Sequence, residues 1–182
     1  MQLRLDHETS VRAIVPQQDH GNLVLCGLPG LRIGHDGTGY YDPEYAALTF
    51  EYLSEMKVSL LYLLIEEIEL PPNAKRLLKG LGLEQDITIN WVPIVDYGVP
   101  DKVSENLWKT GRSVRLDCLR DGDSIAISCI YGAGRCGMMA AAISAEMGID
   151  AHRAVRYVRK HFEEAVGSLA QERWIAKGTF LS

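Results

Sequence analysis

This sequence contains no apolar run approaching the ~18 residues that a membrane-crossing helix needs. Its opening residues, Met1 to Ser10, are polar and charged rather than leader-like. It has no basic excess: 19 Lys and Arg stand against 24 Asp and Glu, for a net charge of −5. Attraction to nucleic acid or to an anionic membrane surface is therefore not expected. Cysteine is sparse. Cys26, Cys118, Cys129 and Cys136 include no Cys-x-x-Cys pair, so neither a disulfide scaffold nor a metal site is read. Free thiols suit a reducing cytoplasm. No repeat or low-complexity tract interrupts the 182 residues, which are enough for one domain with a sizeable core.

What is present reads as strands alternating with helices. Residues 1 to 20 form an N-terminal arm, with Val11 to Val15 as a short strand. Asn22 to Cys26 is a second strand, with Cys26 as a small buried hydrophobe. Residues 30 to 42, rich in glycine, read as a loop in which His35 and Asp36 are a surface turn. Tyr40 and Tyr41 cover the core. Asp42-Pro43-Glu44 starts a helix, with a cap residue and then Pro at the first helical position. Val58 to Ile65 is nearly all apolar, as a strand buried on both faces must be. Glu66, Glu67 and Glu69 follow it as a solvated acidic turn, although they lie where open α/β sheets place their sites. Asn73 caps a helix over Ala74 to Leu81 that stops at Gly82. Asp86 to Val92 is another strand. Residues 93 to 101 are a loop, 101 to 120 one long helix, and Ser124 to Ile127 a last strand. Helices follow over Met138 to Met147, from Asp150 to about Glu164, and from about Ser168 to Ala176. His152 and His161 belong to solvated helix surface. The alternation predicts an α/β fold with a central, mainly parallel sheet flanked by helices.

One stretch carries chemistry: Ser128-Cys129-Ile130-Tyr131-Gly132-Ala133-Gly134-Arg135-Cys136-Gly137. A cysteine ends a strand, a glycine-bearing loop turns, and an arginine opens a helix. Loop N–H groups can converge on one centre, and the helix start adds roughly half a positive charge. Arg135 can offer two parallel donors to an oxyanion. The same donors would hold Cys129 as a thiolate, its nucleophilic form.

Cysteine, five residues, then arginine, with glycines at the third and fifth loop positions, resembles the active-site loop of cysteine-dependent protein phosphatases. Val95-Asp96-Tyr97-Gly98-Val99-Pro100 resembles the acid loop of protein-tyrosine phosphatases. Leu25-Cys26-Gly27-Leu28-Pro29-Gly30 is similar to the strand and turn that open compact dual-specificity phosphatases of the kinase-associated group. The resemblance runs from about residue 22 to 176 and implies a protein-tyrosine-phosphatase-like fold of dual-specificity size. It implies attack by Cys129 on phosphorus, a cysteinyl-phosphate, and Asp96 as general acid. Asp101 is the runner-up but suits a helix cap. Residues 130 to 135 (Ile130, Tyr131, Gly132, Ala133, Gly134 and Arg135) would cradle the phosphate.

The implied substrate is a phosphorylated protein or small phosphomonoester, hydrolysed at phosphotyrosine and, in a shallow site, at phosphoserine or phosphothreonine. No cofactor is implied. The family's usual His before the nucleophile is Ser128 here, and its usual Ser or Thr after the arginine is Cys136. Those departures leave the strength of thiolate activation and the rate of the second step open. Cys136 could also pair with Cys129 on oxidation, or simply fill its slot. Gln171 loosely matches the family's water-positioning glutamine. The loop carries no Lys or His, which disfavours phosphoinositides. A weakly active pseudophosphatase that binds phosphoproteins, and a rhodanese-like sulfurtransferase, remain as alternatives.

Overall fold

The computed structural model describes residues 8–181, so most of the expected N-terminal arm, residues 1 to 7, lies outside the described residues. The core is a five-stranded sheet in the order β1 (Val11–Pro16), β2 (Asn22–Cys26), β7 (Ser124–Ser128), β5 (Val58–Leu63), β6 (Thr88–Trp91). Only β1 runs antiparallel, against β2, and the other four strands are parallel. β7 sits at the centre and buries all five of its residues. A strand so enclosed needs an apolar run such as Ile125-Ala126-Ile127, with cover on both faces.

The cover comes from helices on both flanks. α1 (Pro43–Glu55) packs on β5, and α2 (Ala74–Glu84) packs on α1 and β6. α3 (Lys102–Thr110) and α4 (Arg112–Arg120) follow β6, and α4 packs on β7 and β5. α5 (Gly134–Glu146) packs on β2 and β7 and is covered by α6 (Ala151–Arg159) and α7 (Leu169–Lys177). Twelve residues of α5 are buried, from Arg135 to Glu146. A helix apolar all round belongs inside a protein, and the alanines over 140–142 let its neighbours approach. Gly137 is needed for the same reason, since a Cβ there would stand 2.6 Å from both Ala165 Cβ and Val166 N.

The register sets the level of the site. Cys26 and Leu63 both lie opposite Ser128, so three strands end together. Their next residues, Gly27, Leu64 and Cys129, share the carboxyl edge of the sheet, where open α/β folds bind ligands.

Several local expectations are corrected. Residues 30 to 42 are not a plain loop: β3 (Leu31–Ile33) and β4 (Gly39–Tyr41) form an antiparallel hairpin. Tyr41 is half-buried with its hydroxyl enclosed, whereas Tyr40 is 48% exposed and covers little. α2 runs through Gly82 to Glu84, and Asn73 precedes it in a left-handed conformation without a side-chain cap. The expected helix over 101 to 120 is two helices. Gly111 ends α3 with φ −81° and ψ 2°, and a Cβ there would lie 3.2 Å from the Tyr62 hydroxyl, so the break falls where a side chain would be crowded. α5 starts four residues earlier than expected because the loop closes directly into the helix: Gly137 N–H donates to Ala133 O at 2.7 Å. α6 ends at Arg159, whose guanidinium turns back to the carbonyls of Ala165 and Val166 at 2.9 Å each.

Candidate active site

The loop between β7 and α5 is held from outside through its carbonyls. Leu28 N–H donates to Ile130 O at 3.1 Å, and Arg12 Nε, from edge strand β1, donates to Tyr131 O at 3.1 Å. All described peptide bonds are trans, so the N–H of each such unit points opposite its carbonyl. The amides of Tyr131 and Gly132 are thereby turned inward. Gly132 N–H donates to Cys129 Sγ at 3.2 Å. Gly132 has φ +98°, and a Cβ would stand 2.7 Å from Cys26 C and Gly27 N, so glycine is required on both counts.

Cys129 is only 3% exposed. Its thiol is nonetheless held down at about 6, first by a hydrogen bond from the Cys136 thiol. Burial opposes this. The N–H groups of Gly132 and Cys136 and the charge of Arg135 reinforce it. Cys136 Sγ also lies 3.2 Å from Ile127 O and 3.6 Å from Cys26 O. These two carbonyls compete with the Cys129 thiolate for the single Cys136 proton. Burial and the neighbouring thiolate push the Cys136 thiol well up, so it stays protonated. Cys26 is pushed up to about 12, mainly by burial, consistent with a small core residue. All four cysteines are free. Ser128 is fully buried and its hydroxyl donates to Gly27 O at 3.1 Å, bracing β2 against the loop.

Arg135 opens α5 and is 2% exposed. Its Nη1 and Nη2 fork onto Glu69 Oε2 and Oε1 at 2.7 and 2.9 Å, and Nη1 also donates to Ile94 O at 2.9 Å. The acidic turn after β5 is therefore not merely solvated, as the sequence suggested. Glu69 Oε2 further accepts Glu66 N–H at 2.8 Å, which fixes the carboxylate at the end of the strand. Burial alone would raise the Glu69 carboxyl, but Arg135 and the Glu66 N–H outweigh it and hold it below its usual range. The only sequence signal for Glu69 was three glutamates at the carboxyl end of a buried strand. Arg12 gave no signal, since it lies on the opposite edge of the sheet.

Asp96 Oδ1 lies 3.4 Å from Arg135 Nη2, while the Asp96 side chain is 61% exposed. The structure thus brings Cys129, Arg135 and Asp96 to one centre. Asp101 instead accepts Ser104 N–H at 2.8 Å as the cap of α3. Ser168 Oγ donates to Tyr97 O at 2.9 Å, and Gln171 Nε2 donates to Gly98 O at 3.0 Å. Gln171 Oε1 accepts Gly167 N–H at 2.9 Å. Both ends of the buried Gln171 amide are thus spent on backbone, tying the Asp96 loop to the start of α7. Gly134 packs against the same segment.

This fold is that of the cysteine-based phosphatases of protein-tyrosine-phosphatase type and dual-specificity size. A kinase-associated phosphatase whose catalytic-site cysteine is replaced by serine superposes with a TM-score of 0.73 at 19% identity, covering 94% of this chain and 95% of that one. PTPMT1 in complex with PI(5)P gives 0.63 at 16% identity, over 86% and 88%. The catalytic core of the S. cerevisiae PP-IP phosphatase SIW14 gives 0.55 at 17%, over 94% and 86%. The sequence itself matches no family model and no curated protein, so the likeness is one of fold.

Proposed function

We propose that this protein is a protein phosphatase that hydrolyses phosphotyrosine, and phosphoserine or phosphothreonine where they reach the loop, through a cysteinyl-phosphate. The observation that carries the reading is the convergence of the Cys129 sulfur, the inward amides of Tyr131 and Gly132, Arg135 and Asp96 at one end of the sheet. Cys129 attacks phosphorus in line. Residues 130 to 135 hold the three equatorial oxygens, where charge lies in the transition state. An alkoxide or phenoxide leaves poorly, so Asp96, as its acid, donates the proton and then as carboxylate activates the water that releases phosphate. Glu69 takes Nη1 and Nη2 of Arg135, so the two parallel donors expected for the oxyanion are spent on a carboxylate, and the buried, unpartnered Nε is the guanidinium donor left for phosphate. Gln171 and Ser168 hold the Asp96 loop over it.

Neighbours of this fold include phosphatases of lipid and inositol pyrophosphate type. A protein substrate is favoured here because loop residues 130 to 134 are uncharged and four exposed apolar or aromatic side chains, Ile68, Val95, Tyr97 and Tyr131, stand beside the acidic Glu67 and Asp96. A second reading, phosphate binding with little turnover, rests on Ser128 and Cys136 standing where the family carries His and a hydroxyl. Hydrolysis of para-nitrophenyl phosphate with the burst resolved tests both. Steady turnover that Cys129→Ser abolishes and Asp96→Asn cuts by about a hundredfold is expected. A burst that stalls, or binding with no burst, would replace the first reading with the second.

A further inference from the structure

β6 is the last strand of the sheet, and no strand pairs with its outer edge among the described residues. Between that strand and α2 lies a cavity of about 880 Å³ walled by Leu63, Leu78, Leu83, Ile87, Ile89 and Trp91. Leu83 is 82% exposed along it. Gly82 lets α2 approach the chain after it, since a Cβ there would stand 2.8 Å from Ile87 O. The groove is therefore built by the backbone and is not a gap left by one side chain.

One end of the groove is lined by chain neighbours of residues that hold the candidate site. Glu67 and Pro93 line it. Glu67 is two residues before Glu69, and Pro93 immediately precedes Ile94, and both Glu69 and Ile94 O hold Arg135. Exposed Ile68 and Val95 extend the apolar surface toward Asp96. Lys75 on the rim is matched within the protein, 2.9 Å from Glu67 and 4.6 Å from the centre of the Trp91 ring. Lys79 and Asp86, of opposite sign, also line the rim. Such a rim offers little to a polyanion, while the unpaired edge of β6 offers a row of backbone donors and acceptors to an extended chain.

We propose that this groove docks an apolar residue of the phosphoprotein substrate, carried on an extended segment that lies along the outer edge of β6 and delivers its phosphorylated residue to Cys129. The proposal rests on the phosphatase reading above. It also fixes a spacing. The chain stays paired with β5 beyond the strand, Val92 N–H to Leu63 O and Ile94 N–H to Leu64 O, so it is extended from Ile89 to Ile94. At ~3.3 Å per residue that is about 16 Å, and the docked side chain stands about four or five residues from the phosphorylated one.

The test compares phosphotyrosine peptides of equal charge carrying Leu or Ser four and five residues to either side of phosphotyrosine. The leucine peptide of one side should be hydrolysed with about tenfold higher kcat/KM, the gain from burying one such side chain. In Leu83→Asp the leucine-to-serine ratio should fall to about one. Equal rates for all peptides, or a ratio that survives Leu83→Asp, would overturn the proposal. Binding of the unphosphorylated leucine peptide, read from a Trp91 fluorescence change that Trp91→Phe removes, tests the groove separately from catalysis. If no phosphoester is turned over while that binding persists, the phosphatase reading has failed and the groove has not. If a short-chain phosphoinositide is hydrolysed faster than its soluble headgroup, and Leu83→Asp removes the difference, the groove holds an acyl chain and the proposal is wrong.

Discussion

Replacing Cys136 by alanine should switch off much of the activation of Cys129. The Cys136 thiol is the foremost cause that holds Cys129 down at about 6, and its own burial keeps it protonated as a donor. A hydrogen bond to a charged group is worth roughly 1.5–3 kcal/mol, and about 1.4 kcal/mol moves a pKa by one unit. The variant should therefore titrate between about 7 and 8, and at pH 7 its thiolate fraction should fall from about nine tenths to between about half and a tenth. The assay is the pH dependence of iodoacetamide alkylation at Cys129, followed by mass spectrometry. Cys26 and Cys118 do not compete, because burial raises both thiols. Cys136→Ser restores a donor and should return the midpoint toward its starting value. A midpoint that moves by less than about 0.3 unit in the alanine variant would refute the reasoning. It would mean that the Cys136 proton points to Ile127 O or Cys26 O and that the loop amides alone make the thiolate.

Other outcomes follow from the same geometry. Since Cys129 titrates lower in the fold than the 9.0 of a free thiol, its thiolate stabilises the fold fully above pH 9 and that contribution vanishes as pH falls through about 6. Urea unfolding of the wild type against Cys129→Ser should then show a relative loss of about 2.6 kcal/mol between pH 8 and pH 5, and a difference flat with pH would contradict it. Glu69→Gln removes the paired charge from Arg135 and should cost about 1–3 kcal/mol and raise KM more than it lowers kcat. Unchanged KM and unfolding midpoint would show that Ile94 O suffices. Remote from the site, Arg115 forks onto Glu146, with both side chains wholly buried. Glu146→Leu strands that guanidinium and should cost about 3–5 kcal/mol in urea unfolding. A smaller loss would mean that Arg115 reaches water.

The alternation of strands and helices was legible in the sequence because burial on two faces demands unbroken apolar runs such as Val58 to Ile65. The cysteine loop was legible because a tight turn onto a helix needs glycine and arginine at fixed places, and Gly132 indeed has a conformation that only glycine tolerates. Breaks and boundaries were not. Gly111 ends a helix beside the Tyr62 hydroxyl, while Gly82 lies within one and packs against Ile87 O, and neither contact can be read from the sequence pattern.

The sequence by itself determined the sheet, the loop and its candidate nucleophile, since these depend on local pattern and spacing. Tertiary structure alone decided what surrounds them. Glu69 meets Arg135 across 66 residues and Arg12 meets Tyr131 across 119, and Gln171 is spent on tying the Asp96 loop. The physical reason is that a charge at the end of a strand has no partner until the parallel register places three strand ends, from distant parts of the chain, at one level.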